Sequence, residues 1–526
     1  MPNDCVSYQN SGFFSNLIVD YLNQKAELQP FYNRFPAAEN FAAQIEEKSQ
    51  NFDFKKRQIL VNSLEAQYQG FEISALTGRN ITRLSEANTF TITTGHQLNL
   101  FTGPLYFLYK IVSVVNLCKK LTDDYPDKNF VPVYWMATED HDFEEINYFN
   151  YKGKKIVWNS NQSGPVGRFS TDGLDEVYKV FEAELGIGKN GDYLKNLFQK
   201  SYVAHRNLAD ATRFLANELF GECGLVILDG DARNLKQEFK PYMENELLHQ
   251  KSFAKVQETT ELLNNYKIQV NPREINLFYI DDGVRERIVY IDDRYKINNN
   301  NTTFTEAEIL EKLKNSPEKF SPNVILRPLY QEVILPNLCY VGGGGEIAYW
   351  LELKSMFDYH QVTFPMLLVR NSAVIATKKQ VEKANQLGLS WQDLFLNSAA
   401  LVDAKTKGLS EIELSLEPQK EILRKQFADL YTLAKQTDKS FSGAVKAQEQ
   451  KQIKGLEHLE KRLLKAQKRK YDEQLQRILK LKNEIFPNDG LQERTANFSM
   501  FYDEMLIGKL MENLSPLQTN FSVITI

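Results

Sequence analysis

The stretch TTGHQLNLFTGPLYFLYK, residues 93–110, carries the reading on which the rest depends. A run of strand formers, FTITT at 90–94, stops at Gly95. His96 and Gln97 follow, and then Gly103 and Pro104 open an aromatic-rich helical pattern. Proline suits a first helical position, and glycine permits close backbone approach. A strand that hands over to a helix in this way fits a parallel sheet, and open α/β sheets bind ligands outside the carboxyl ends of their strands. His96 and Gln97 therefore fall at that edge, beside helix N-terminal amides that favour a carboxylate or phosphate. The plainer alternative is a capped strand–helix turn with an incidental histidine, one of six in the chain.

A second dense stretch is FVPVYWMATEDHDFEEINYF, residues 130–149. Strand formers end at Ala137, and five carboxylates and a histidine then fall within residues 139–145. Packing does not need them. Clustered acids raise one another's pKa and bind Mg²⁺ or a substrate ammonium, and a histidine among them can shuttle protons. Glu139, Asp140, His141 and Asp142 are the candidates, whereas Glu144 and Glu145 suit the first turn of a helix. Two weaker stretches follow. In CYVGGGGEIAYWLEL, residues 339–353, Gly343 and Gly344 precede a helical run from Glu346, as a ligand cradle or as a tight turn. In FPNDGLQERTANFSMFY, residues 486–502, Gln492, Arg494 and Asn497 suit phosphate or adenine recognition, or cap a helix end. A buried Arg–carboxylate pair is the structural alternative for Arg494.

Working outward, 526 residues imply two or three domains. With 42% hydrophobic and 25% charged residues the composition is that of a globular protein. The net charge of −5 gives no global attraction to nucleic acid or to an anionic membrane. The N-terminus is unlike a signal peptide, and the longest apolar stretch, near 105–118, is interrupted by Lys110 and too short to span a bilayer. Cys5, Cys118, Cys223 and Cys339 fit neither a metal pattern nor a disulfide framework, so a reduced, cytoplasmic protein with no metal site is expected.

Three regimes follow one another. Residues 1–88 read as a helical segment packing on the core. From 89 to 370 strands alternate with helices, with strands expected at 90–94, 130–137, 225–229, 324–326 and 363–369 and helices at 105–121 and 208–220. This pattern gives an α/β fold with a parallel sheet. Insertions fall near 148–202 and 250–320, the second holding a hairpin that turns at Asp281-Asp282-Gly283. Residues 371–486 form a helical domain, an antiparallel coiled coil turning at 438–443, with Leu464, Tyr471, Ile478 and Ile485 one heptad apart. These positions exceed what the partner helix needs to cover, so a homodimer is expected here. Residues 487–526 return to the core. No phosphate loop, nucleophile elbow or zinc signature occurs, and GIGKNG at 186–191 reads as a loop between helices.

Five segments occur in order: GHQLNLFTGPLYFLYKI, VPVYWMATEDHDFEEIN, YVGGGGEIAYW, LLVRNSA and FPNDGLQERTANFSMFY. On these the whole chain resembles the bacillithiol biosynthesis cysteine-adding enzyme family (BshC). Two positions depart from the family's pattern: a glycine, 344 or 345, stands where a proline is expected, and ANFSMFYDEM follows the last motif in place of a more apolar continuation.

The resemblance implies a Rossmann-like core with connecting insertions and a dimerising coiled coil. It implies a ligase that joins the carboxyl of cysteine to the amine of glucosaminyl malate. A carboxylate is a poor acyl donor, so activation as an adenylate or acyl phosphate is implied, and with it a nucleotide, ATP or ADP, with Mg²⁺ as a further candidate. His96, Asp140, His141 and Asp142 become catalytic candidates. Gly95, Gln97, Asn99, Gly103, Lys110 and Glu139 become substrate-binding candidates. Gly343, Gly344, Glu346, Gln492, Arg494 and Asn497 become nucleotide-binding candidates, with Arg494 expected in a second pocket between the body and the coiled coil. Two other readings stay open: a nucleotide- or sugar-binding protein using the coiled coil as an interaction module, and a nucleotidyltransferase-like ligase acting on another acid and amine.

Overall fold

The computed structural model describes residues 6–526, so Cys5 lies outside the described residues, and Cys118, Cys223 and Cys339 are free thiols. Five strands form the central sheet: β1 (Thr89–His96), β2 (Asn129–Met136), β3 (Val226–Asp229), β4 (Asn337–Gly342) and β5 (Met366–Val369). Their spatial order is β5-β4-β1-β2-β3, and all neighbours run parallel. Read from β3, this is the 3-2-1-4-5 order of a doubly wound Rossmann-like sheet. The order reverses between β1 and β4, which makes the carboxyl ends of those two strands the topological switch point.

The strands are apolar on both faces because helices cover both. Every residue of β4 and β5 is buried, as are all but Gly95 in β1 and all but Asn129 in β2. Pro132 sits in β2 without cost to the ladder, since β3 begins pairing with β2 only at Val133. Helix α1 (Tyr106–Asp124) packs on β1 and β2 and buries Phe107, Leu108, Ile111, Val112, Val114 and Val115. Each such side chain contributes about 1.5–3 kcal/mol by leaving water.

The chain departs from the expected strands at one point. Residues 324–326 are not a strand but the entry to helix α2 (Leu326–Ile334). Leu326, Leu329, Tyr330, Val333 and Ile334 recur at helical spacing and are all buried, and this outweighs the β propensity of Val324 and Ile325. The fourth strand is instead β4, which ends on the first of the four glycines and is followed by helix α3 (Gly344–Leu351). The second insertion holds more than a hairpin. Phe320–Pro322, Leu277–Asp281, Val284–Ile291, Arg294–Ile297 and Thr303–Phe304 make a five-stranded sheet, antiparallel throughout, with Gly283 at φ 68° in the turn. The first insertion holds the hairpin Tyr148–Tyr151 with Lys154–Val157 and two helices, Leu174–Glu184 and Lys189–Phe198, that flank the glycine-rich loop.

The chain divides into two compact units. One comprises Ser7–Ile375 with Gln492–Ile524, and the other Ala376–Leu491. In the second unit, α4 (Glu417–Ala434) and α5 (Lys439–Lys470) pair antiparallel. Lys420 meets Glu460 at 2.7 Å and Tyr431 meets Glu449 at 2.7 Å, which fixes their register. Asp438 caps α5 through Ser440 N and Phe441 N, so the turn lies at 435–438 and Gly443 is helical, a shift from the expected 438–443. The long second run is not continuous. It breaks at Tyr471, and α6 (Asp472–Ile485) follows. Lys468, Arg469 and Lys470 suit a helix C-terminus and Asp472 and Glu473 an N-terminus, so the helix dipoles favour a boundary there. Among the described residues no helix is long and apolar enough to cross a membrane.

Candidate active site at the switch point of the sheet

A cavity of about 560 Å³ opens at the switch point. Gly95, His96 and Gln97 from the end of β1 line it, together with Gly343, Gly344 and Gly345 after β4. Lys110 reaches it from α1. Its Nζ donates to the Gly95 carbonyl at 2.7 Å and lies 2.7 Å from Glu346 Oε1. Burial pushes the Glu346 carboxyl up, but Lys110, the Tyr340 hydroxyl and the Gly343 amide together hold it below its usual range. Lys110 therefore ties the end of β1 to the start of α3 and is part of the cavity wall.

His96 is buried and lines this cavity. Burial, with Lys110 and Arg370 nearby, pushes its pKa well down, so the ring is neutral. Its Nε2 is buried without a hydrogen-bond partner. Positive charge toward a ligand comes instead from Arg327, Arg370 and Arg494, all of which line the cavity. Arg370 is already paired with Glu493 at 2.7 Å and Arg327 with Asp140. Arg494 is exposed and has no ion-pair partner among the described residues.

The expected placement of the last motif is corrected here. Arg494 lines the sheet-edge cavity. Its neighbours Gln492 and Asn497 do not reach the cavity. Gln492 is buried and bonded to the backbone of Ile375 through both ends of its amide. Asn497 donates to the carbonyls of Phe101 and Gly103 at 2.8 and 2.6 Å. That clamp explains Gly103 and Asn99. Phe101, Thr102 and Gly103 all have positive φ (49°, 67° and 59°), a run that costs non-glycine residues on the order of 1–3 kcal/mol each. A Cβ on Gly103 would stand 2.6 Å from that of Asn99. Neither residue lines the cavity. They shape the turn that carries the chain from His96 to α1.

The acidic cluster divides by duty. Glu139 is buried against Lys236, 2.6 Å away, in a network with Asp231 and Arg168, and it does not line the sheet-edge cavity. Thr138 bonds Asp229 in the same network. Glu144 and Glu145 fall in the first turn of the short helix Phe143–Ile146. Asp140, His141 and Asp142 line a second cavity of about 530 Å³, which shares Gln97, Gln269, Val270, Val324 and Arg327 with the first. Asp140 accepts both contacts of Arg327 Nη1, at 2.9 and 3.0 Å. Asp142 is exposed, and its one ion-pair contact among the described residues is with His141 Nε2 at 4.0 Å, while its charge also acts on the buried Arg285. Among the described residues no group of acids, histidines or cysteines is arranged to hold a metal ion.

Sequence reasoning missed Arg327, Arg370 and Arg285. Arg370 directly follows β5 and His96 closes β1, so the strand-end signal was present in LLVRNSA. Arg327 directly follows the stretch 324–326 read as a strand and lies instead in the first turn of α2.

Comparison with known proteins agrees across the whole chain. Residues 1–371 match the family model described as "Bacillithiol biosynthesis BshC, N-terminal Rossmann-like domain". Residues 373–526 match "Bacillithiol biosynthesis BshC, C-terminal coiled-coil domain". A Flavobacterium johnsoniae protein named "Putative cysteine ligase BshC" is 62% identical, with 100% of both chains covered. Proteins of the same name from Flavobacterium psychrophilum and Cytophaga hutchinsonii are 61% and 39% identical, covering 100% and 98% of this chain and 99% and 98% of theirs.

Proposed function

The chain belongs to the bacillithiol biosynthesis BshC family, and on that premise we propose that it is a ligase forming an amide between the carboxyl of cysteine and the amine of glucosaminyl malate. The observation that carries this reading is the adjoining pair of cavities: cationic side chains and glycines at the ends of β1 and β4, and an unpaired carboxylate, Asp142, across a shared wall. An amide between these groups requires an activated carboxyl, a deprotonated amine, and both held in contact.

A nucleotide, ATP or ADP, would supply the activation of the carboxyl when bound in the sheet-edge cavity. The residues present fit its phosphates. Arg494 is unpaired, the glycines at the start of α3 line the cavity, and a Cβ on Gly345 would meet nothing within 4 Å, so the backbone is approachable. They do not fit a protein-held Mg²⁺, since the one carboxylate lining this cavity, Glu346, is already taken by Lys110 and Tyr340. Asp142 accepts the proton that the sugar amine must lose. Asp140, held by Arg327, keeps the loop in place. Gln97, common to both cavities, spans the two reactants. His96 meets its ligand as a neutral ring and supplies a hydrogen bond, not a charge. The protein works as a homodimer through the coiled-coil unit.

The test is direct. Purified protein with cysteine, glucosaminyl malate and ATP should yield the amide by mass spectrometry. Asp142→Asn and His96→Ala should fold normally and lose roughly two orders of magnitude of product formation. Near-full activity in both variants would place the chemistry elsewhere.

A further inference from the structure

The turn between β1 and α1 is strained, and it is held from outside. Phe101 and Thr102 stand at φ 49° and 67°, in the left-handed region that a β-branched residue such as threonine rarely enters. Thr102 Oγ1 is buried without a hydrogen-bond partner, so its side chain does nothing to offset the strain. Such a conformation persists only where the surroundings over-determine it, and it gathers at functional sites. Here two distant segments do so. From the C-terminal segment, Asn497 spans Thr102 by donating to the carbonyls of Phe101 and Gly103, and the Ala496 carbonyl takes the Leu105 amide at 2.8 Å. From the first insertion, the hydroxyl of the buried Tyr202 accepts the Phe101 amide at 2.8 Å. A single turn of π-helix, Gln199–Val203, presents Tyr202, an irregularity that often marks functional sites. The Phe101 ring is packed among Phe149, Phe181, Phe198 and Phe498, with centroids 5.0–5.4 Å away. None of these partners lines the sheet-edge cavity.

We propose that Asn497 and Tyr202 are positioning residues for His96, fixing its imidazole in the wall of the sheet-edge cavity by locking the strained turn. Three observations tie the turn to this ring. His96 Nε2 is buried without a hydrogen-bond partner, so the ring takes its orientation from its neighbours. The Thr102 backbone lies within reach of the ring and favours a proton on it, against the burial that removes one. Tyr106 and Phe107, at the start of α1 where the turn ends, stand against the ring with centroids 5.4 and 5.0 Å away. A turn relaxed into ordinary backbone would displace Thr102, Tyr106 and Phe107 together and free the imidazole. Misplacement by an ångström is enough to cost a reaction much of its rate. Residues 494–497 therefore bring one side chain, Arg494, to the cavity and fix another, His96, beside it. The proposal rests on the ligase function only for the reaction in which His96 takes part.

The experiment compares full-length Tyr202→Phe, Asn497→Ala and Thr102→Gly by melting temperature, by the rate of amide formation and by nitrogen-15 spectra of the His96 ring, whose signals are identified by their loss in His96→Gln. Tyr202→Phe removes only the acceptor of the Phe101 amide and keeps the buried ring. Tyr202→Phe and Asn497→Ala should lower kcat about tenfold or more, leave KM within about threefold, and shift the His96 signals. Thr102→Gly relieves the strain, so its melting temperature should hold or rise while its rate falls and its His96 signals shift. A turn that serves folding alone gives another pattern: lower melting temperatures in the first two variants, with wild-type rates per folded molecule and unmoved His96 signals in all three. That pattern would overturn the proposal. A lowered rate with unmoved His96 signals would overturn it too, since the loss would then not pass through the imidazole. Shifted His96 signals in the variants of a protein that forms no amide would sink the ligase function and leave the positioning role standing.

Discussion

Arg285 donates a 2.7 Å hydrogen bond to Nδ1 of His141. Arginine has no acceptor atom, so Nδ1 must be the bare nitrogen of the ring, and the proton of the neutral imidazole sits on Nε2. His141 thus offers an N–H toward Asp142, 4.0 Å away, and cannot serve as a base through Nδ1. Nitrogen-15 spectra of the protein should show His141 as the Nε2–H tautomer. Arg285→Gln should allow both tautomers and lower product formation about tenfold or more, because the ring is no longer oriented. An Nδ1–H tautomer in the wild type would refute the assignment.

How far the site could be read in advance follows from which signals are local. The end of β1 was legible because a glycine closing a strand, a histidine and a Gly-Pro helix entry lie within 15 residues of each other in the quoted stretch. The convergence of Arg494 on that edge was not. It depends on the chain returning at Gln492 and on Glu493 docking against Arg370, 123 positions earlier. The roles of Gln492 and Asn497 were misread for a related reason. An amide side chain looks the same in sequence whether it faces a nucleotide or a strained turn, and the turn held by Asn497 lies 396 residues away at Phe101. The break at Tyr471 was legible in the basic and acidic runs around it, but a regular heptad spacing concealed it.

Glu493 and Arg494 should separate stability from binding. Glu493 is buried and takes Arg370 at 2.7 Å, Ser372 Oγ at 3.2 Å and the Ala373 amide at 3.2 Å. Glu493→Ala leaves the Arg370 guanidinium buried and uncompensated, a loss of about 3–5 kcal/mol. Arg494→Gln removes only an exposed, unpaired cation and should barely alter the melting temperature. Its nucleotide affinity should fall about tenfold, the scale of one charged hydrogen-bonding partner. Thermal melts and nucleotide titrations of the two variants, run side by side, check both claims. Unchanged nucleotide affinity in Arg494→Gln would remove this arginine from the site.

Glu352 gives the fold a pH dependence with a definite sign. It is buried at the end of α3 and accepts the amides of Gln269 and Val270 at 2.7 and 3.3 Å, which holds the segment common to both cavities. Burial raises its pKa from 4.5 to about 7, against the pull of those two amides. The native state therefore keeps a proton that the unfolded chain has lost. This contribution is complete below pH ~4.5 and is lost as pH rises through ~7. The melting temperature of Glu352→Gln minus that of the wild type should thus increase steadily between pH 5 and pH 7.5. A flat difference across that range would mean that Glu352 is ionised throughout.

The surface expected to face a second copy moves when burial is taken into account. Ile478 and Ile485 were expected to face a second copy, but they are 3% and 0% exposed, on a helix that packs on Lys378–Gln386 and Ser398–Leu409 of the same unit. A glutamate at Ile478 would bury a charge and unfold the unit, so a monomer obtained that way would say nothing about the interface. The apolar surface left over lies on α4. Ile422, Leu430 and Leu433 are 58%, 41% and 52% exposed, and spacings of eight and three residues put them on one helix face. Leu459 on α5, 54% exposed, falls at the level of Ile422, as the Lys420–Glu460 contact requires in an antiparallel pair. A stripe of this kind is covered most simply by the same stripe of a second copy, which makes a self-complementary interface. Leu430→Glu combined with Leu433→Glu should halve the mass measured by light scattering and leave the melting temperature of the unit within a few degrees of the wild type. A dimer that survives the double substitution would assign the interface to another face.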